Sequence, residues 1–187
     1  MHKAELWVQS SHADCTLESF DWSKLPLVQT VVNEYLQDVE RKHGLLFIGD
    51  PGLGKTHILV GLFKWLLDSG LSVGSDITYV QWSDLVSELR GIFSKEKSPE
   101  EALARITNVK YLLIDDIRPC TGVFWNTCLK LIIEQVYVKE TKLIMTANIE
   151  DADNLVSLWQ VEDYYVSRLQ EIVQIIKLKG TDHRKLR

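Results

Sequence analysis

Cysteine and proline are scarce in this chain, long apolar runs are missing, and there is no excess of positive charge. The three cysteines, Cys15, Cys120 and Cys128, are too few and too irregularly spaced for a disulfide framework or a zinc site. They read as reduced thiols of a cytoplasmic protein. No apolar stretch approaches the ~20 residues needed to cross a bilayer. The first ten residues include Glu5 where a signal peptide needs an unbroken apolar core. A soluble protein with no membrane contact is therefore expected. The formal charge of -5 gives the chain no general attraction for polyanions, so any nucleic-acid contact must come from a local patch. Repeats and low-complexity tracts are absent as well.

The 187 residues, 45% of them apolar, suffice for one well-buried domain and not for two full-sized ones. Residues 1–25 are expected to be an irregular lead-in, rich in Ser, His and Asp, and residues 26–187 the domain. Leu27, Val31, Val32, Tyr35, Leu36 and Val39 recur at helical spacing and predict an amphipathic helix that closes at Gly44. Leu45 to Ile48 is a short apolar run bounded by glycines, which predicts a buried strand. A helix with Ile58, Leu59, Leu62, Phe63, Leu66 and Leu67 on one face follows, ending near Gly70. The pattern repeats: a strand at Ile77 to Val80, a helix carrying Leu85, Val86, Leu89, Ile92 and Phe93, and a helix start at Ser98 and Pro99. Then come a strand at Tyr111 to Ile114, a helix through Leu129, Ile132, Ile133 and Val136, a strand at Leu143 to Thr146, and a last strand within Ile172 to Leu178. Strands alternating with helices predict an α/β fold of three layers, with a mainly parallel five-stranded sheet covered on both faces.

Gly49-Asp50-Pro51-Gly52-Leu53-Gly54-Lys55-Thr56 fits G-x-x-x-x-G-K-[ST] between a buried strand and an amphipathic helix. This is the context in which such a pattern is a phosphate-binding loop (P-loop). The glycines let backbone N–H groups face a phosphate, and the helix start adds the positive end of its dipole. Lys55 reaches the outer phosphates and Thr56 ligates magnesium. ATP and Mg2+ are thus the expected ligands. Tyr111 to Ile114 ends in Asp115 and Asp116, which puts carboxylates at the strand edge where open α/β sheets bind ligands. By position Asp115 should hold magnesium, through water, and Asp116 should polarise the attacking water. Asn148, after the next strand, is either a turn residue or an amide that orients water near the terminal phosphate. Arg168, on a helix before the last strand, is by itself an ordinary surface arginine.

The order of these pieces, from about Cys15 to Arg184, resembles the AAA+ ATPase domain of bacterial replicative helicase loaders of the DnaC/DnaI type and of the related IstB transposition helpers. Cys15 to Phe20 looks like their lead-in segment, Gly44 to His57 like their nucleotide loop, and Ile114 to Ile117 like their aspartate pair. Thr146-Ala147-Asn148 resembles sensor 1, Ser167-Arg168-Leu169 the arginine-finger segment, and Gly180 to Arg184 the closing motif. The resemblance implies that His57 belongs to the nucleotide site, that Asn148 senses the terminal phosphate, and that Arg168 acts on ATP held by a neighbouring subunit. It also implies self-assembly through the ATP sites and a replicative DNA helicase as partner. Two positions depart from the family: Arg118-Pro119 stands where Gly usually follows the aspartates, and Val136-Tyr137 where a basic residue usually precedes the Tyr. Such loaders carry a separate helicase-gripping region, and about twenty-five residues precede Pro26 here. Either the ATPase domain itself makes the partner contact or the chain is a shortened form.

The expected function is an ATP-hydrolysing loader or replication remodelling factor. The alternatives are an IstB-like transposition helper and a non-hydrolysing adaptor ordered by ATP. A small-molecule P-loop kinase is disfavoured because no Arg-rich lid segment is visible. Lys177, Lys179, His183, Arg184, Lys185 and Arg187 make the end of the chain locally basic and offer a contact for single-stranded DNA, against the overall acidity.

Overall fold

The apolar runs at 44–48, 111–117 and 142–147 lie side by side at the centre of the molecule, buried on both faces as parallel strands with helical crossovers require. The computed structural model describes residues 8, 10–38, 40, 43–93, 103–104, 106–118, 123–152, 159 and 161–180. Its strands are β1 (Gly44–Ile48), β2 (Ile77–Gln81), β3 (Tyr111–Ile117), β4 (Lys142–Ala147) and β5 (Val173–Lys177). Its helices are α1 (Pro26–Gln37), α2 (Lys55–Asp68), α3 (Trp82–Phe93), α4 (Val123–Lys139) and α5 (Asp163–Ile172). The strands form one five-stranded sheet in the order β2-β3-β4-β1-β5, and every neighbouring pair is parallel. The helix start expected at Ser98 and the closing motif beyond Gly180 lie outside the described residues.

Alternation along the strands sorts the core into two clusters. Leu45, Phe47, Leu113 and Ile144 face α1 and α2, whereas Leu46, Ile48, Leu112, Ile114, Leu143 and Met145 face α3, α4 and α5. Helices therefore cover both faces, which gives the three layers expected. Leu17, Phe20 and Leu25, from the segment before Pro26, are buried in the first cluster, and a short 3-10 turn at Trp22–Lys24 leads into α1. Pro26 occupies the first turn of α1, where its missing N–H costs nothing.

The first helix ends earlier than its apolar spacing suggests, and Gly44 is not its terminus. Asp38 adopts an extended conformation and its carboxylate accepts the Glu40 N–H at 3.0 Å, a local turn that competes with further helix. Gly44 instead opens β1. A Cβ built there would lie 1.8 Å from the Leu143 carbonyl oxygen, so the close approach of β4 demands glycine.

Strand order positions the site. β4 is inserted between β1 and β3, so the ends of those two strands stand roughly 10 Å apart, two strand spacings. β3 also runs on through its acids to Ile117, and its register against β4 shifts between Ile114 and Ile117. A bulge of this kind re-aims side chains at a sheet edge.

Candidate functional site

The loop after β1 is shaped by glycines in conformations that other residues avoid: Gly49, Gly52 and Gly54 have φ of 141°, 84° and 85°. Space also forbids a side chain at two of them: a Cβ at Gly54 would lie 2.4 Å from Cε2 of Phe20, and one at Gly49 2.5 Å from the Leu178 carbonyl oxygen. α2 then starts with no side-chain cap, so its first N–H groups and the positive end of its dipole are left facing the loop. Lys55 is 6% exposed, and its ammonium donates to the carbonyls of Gly49 and Asp50, each at 2.7 Å. Leu53 is buried beneath the loop, whereas Asp50 and Pro51 are exposed. His57 turns toward the lead-in: its Nε2–H donates to the Thr16 carbonyl at 2.9 Å, Ser19 Oγ lies 3.1 Å from the same nitrogen, and the ring meets Phe20 edge-on at 5.1 Å.

Thr56 joins this loop to the acids. Its hydroxyl donates to Oδ1 of Asp115 at 3.1 Å. Asp115 is 1% exposed, and burial of a carboxylate demands hydrogen-bond partners. Thr146 Oγ1 donates to Oδ1 at 2.5 Å, while Tyr79 O–H and Gln81 Nε2 donate to Oδ2 at 3.2 and 3.1 Å. With Thr56 these donors match the carboxylate's acceptor capacity. Burial, and then the nearby Asp115 charge, push the Tyr79 phenol far above its ordinary pKa, so the ring remains a donor. The same Thr146 hydroxyl accepts the Asp116 N–H at 2.8 Å. Asp116 sits in the bulge with φ of 57°, a left-handed conformation that Asp tolerates better than most residues. Its Oδ1 accepts from Asn148 Nδ2 at 2.7 Å, and its Oδ2 accepts from Arg118 Nε and Nη2 at 2.8 and 2.5 Å.

The structure thus brings Lys55, Thr56, Asp115, Asp116 and Asn148 to one edge of the sheet. Arg168 lies apart from them. It is on α5, on the sheet face opposite α2, pairs with Glu134 of α4, and has its guanidinium carbon 4.7 and 4.2 Å from the ring centroids of Tyr137 and Tyr164. Sequence reading missed Tyr79, Gln81, Thr146 and the Arg118 contact as parts of the site. A signal existed for Tyr79 and Gln81, polar-tipped residues two apart on a strand that must pair with the acid-bearing one. At the chain's end Lys177 pairs with Asp151 at 2.7 Å, and residues 181–187 lie outside the described part.

Whether magnesium suits these residues can be judged from the donor set. Thr56 commits its proton to Asp115 and keeps its lone pairs, so its hydroxyl oxygen is a direct hard donor. Asp115, whose acceptor positions are filled here, would meet the ion through one of the ion's waters by exchanging a present donor. That sparse set fits an ion that retains most of its waters and is otherwise held by phosphates. The loop fits a polyphosphate equally well, because a lysine ammonium and an uncapped helix start converge there. Among the described residues, no helix is long and apolar enough to cross a membrane.

Comparison with known proteins gives a consistent result. The sequence profile of the family described as IstB-like ATP binding protein matches residues 4–185. The chain is 29% identical over 105 residues to the ATP-binding protein of insertion sequence IS5376 from Geobacillus stearothermophilus, a match covering 54% of this chain and 40% of that protein. To the replicative helicase loader DnaC of Escherichia coli K12 it is 24% identical over 161 residues, covering 79% of this chain and 62% of that one. The chain therefore spans well under two thirds of the insertion-sequence relatives it matches. Among solved structures, a crystal structure of the DnaC helicase loader superposes with a TM-score of 0.74 at 19% identity, covering 88% of this chain and 97% of that one. AMPPCP-bound DnaA from Aquifex aeolicus superposes with 0.70 at 21% identity, covering 91% and 52%. Identities this low establish the fold, that of an AAA+ P-loop domain.

Proposed function

Because the chain belongs to the IstB-like ATP binding protein family, we propose that it hydrolyses ATP, assembles through its ATP sites, and acts as a remodelling factor on a replicative helicase at DNA. The observation that carries this reading is the Thr56–Asp115 hydrogen bond, which fixes the lysine-bearing loop against the acid-bearing strand. The backbone N–H groups of Gly49 to Thr56, Pro51 excepted, and the start of α2 bind the triphosphate, and Lys55 neutralises its outer phosphates. Thr56 and Asp115 would hold magnesium, which when bound offsets phosphate charge. Asp116 orients the attacking water by accepting its hydrogen bond, and Asn148, attached to Asp116, keeps a polar amide beside that water. Arg168 serves a neighbouring subunit, since within its own chain it sits on the sheet face opposite α2. Arginines supplied across an interface raise turnover by about three to five orders of magnitude, so isolated chain should be nearly idle.

The helicase as partner is supported by the likeness to DnaC over 79% of the chain. A second reading, a transposition helper that works with a transposase, is favoured by the insertion-sequence relatives. Pull-down with and without a slowly hydrolysed ATP analogue separates them. Nucleotide-dependent recovery of a hexameric helicase supports the first, and recovery of a transposase replaces it with the second. Calorimetry that detects no ATP uptake with magnesium present would refute both.

A further inference from the structure

Asp116 is the carboxylate that the proposed reaction needs free to face water, yet one of its oxygens is held by a cation two residues further along the chain. Arg118 lies just past the end of β3, two residues after Asp116, and the left-handed turn of the chain at Asp116 lets its side chain fold back onto that carboxylate while Ile117 between them is buried. The guanidinium grips Oδ2 through both Nε and Nη2, and Asn148 occupies Oδ1. Two N–H groups of one planar fork on a single carboxylate oxygen make a charge-assisted contact, which fixes the direction of that oxygen. The Arg118 side chain is 68% exposed, so the contact owes little to burial and can open without disturbing the core.

We infer that Arg118 is a positioning residue that restrains Asp116, so that the resting chain binds nucleotide in a hydrolysis-poor state until the arginine is drawn away. The inference rests on the ATPase reading above. In the reaction the water oxygen bonds to the terminal phosphorus, the bond from that phosphorus to the bridging oxygen breaks, and ADP, inorganic phosphate and one proton leave. Asp116 aligns the water for that attack, and it does so poorly while its outer oxygen faces the guanidinium. Restraint of this kind acts on turnover and leaves ground-state binding of ATP alone.

The test compares phosphate release at saturating ATP over a range of protein concentrations, with nucleotide affinity measured separately, for wild type, Arg118→Ala, Arg118→Lys and Asp116→Asn. General bases contribute roughly 100- to 10,000-fold, and partial release of one should raise kcat about tenfold in Arg118→Ala with KM and affinity unchanged. Arg118→Lys, which keeps the charge without the planar fork, should fall between Arg118→Ala and wild type. In the Asp116→Asn background, Arg118→Ala should add nothing. An Arg118→Ala enzyme no faster than wild type, or changed only in KM, overturns the restraint. If wild type hydrolyses and Asp116→Asn does not, that failure leaves the ATPase reading standing. If every variant binds nucleotide and none releases phosphate, the ATPase reading fails and the restraint with it.

Discussion

On the loop side of the site every residue comes from the unbroken stretch Gly49 to Thr56, whereas the acid side draws Tyr79 and Gln81 from β2, Asp115 and Asp116 from β3, and Thr146 and Asn148 from β4 and the residue just past it. Local backbone geometry, set by glycines with positive φ, makes most of the first, with Phe20 and the Leu178 backbone packed against it from outside. Strand register makes the second, so it exists only once β2, β3 and β4 are paired. A local motif tolerates damage elsewhere in the sheet, while a woven one fails when any strand shifts.

Substitutions can break or sharpen this contrast. Phe20→Ala should have the largest effect, because it removes a buried ring beneath Gly54. A loss of about 3–5 kcal/mol in urea unfolding is expected, and a loss below about 1 kcal/mol would show that the loop stands without the lead-in. Lys55→Ala should weaken nucleotide binding by roughly 100-fold, or about 3 kcal/mol, in calorimetry with the melting temperature nearly unchanged. Thr146→Val removes the hydroxyl shared by Asp115 and the Asp116 amide. It should cost about 1–3 kcal/mol of stability and depress hydrolysis far more than binding; unaltered turnover would contradict the woven description. Tyr79→Phe should be mildest, at about 1 kcal/mol. Its pH signature follows from a phenol raised by burial and by Asp115 above its ordinary 10.0. The tyrosine's stabilisation is complete below that value and is lost as pH climbs past it, because only the unfolded chain then ionises freely. The Phe variant should lose less stability between pH 9 and 11, and parallel alkaline unfolding curves would remove the effect.

Legibility in the sequence follows the same division. The phosphate loop could be read because its requirements fall within eight consecutive residues, and the strands could be read because burial on both faces forces continuous apolar runs. The acids were visible as a strand end, but the bulge that carries them was not, since a register shift depends on the neighbouring strand. Thr146 looks in sequence like any strand threonine, and only its placement opposite β3 makes it a hub. Arg118 is a departure from the family pattern in the sequence itself, yet its target depends on the left-handed turn at Asp116 inside the bulge, which no local pattern shows. Arg168 was expected on a helix and is found on α5. Its pairing with Glu134 and the nearby rings of Tyr137 and Tyr164 arise from α4 packing against α5, which no local pattern announces.

The separation of Arg168 from the loop of its own chain governs what any assembly joined through these two surfaces can look like. Unlike patches would meet head to tail, and such a contact closes into a ring only at certain rotations, extending otherwise as a helical file. In a file, the terminal member at one end holds nucleotide that no neighbour assists, and the member at the other end carries an arginine with nothing to serve. Such an array has a built-in polarity, and its growth and its dismantling begin at chemically different ends.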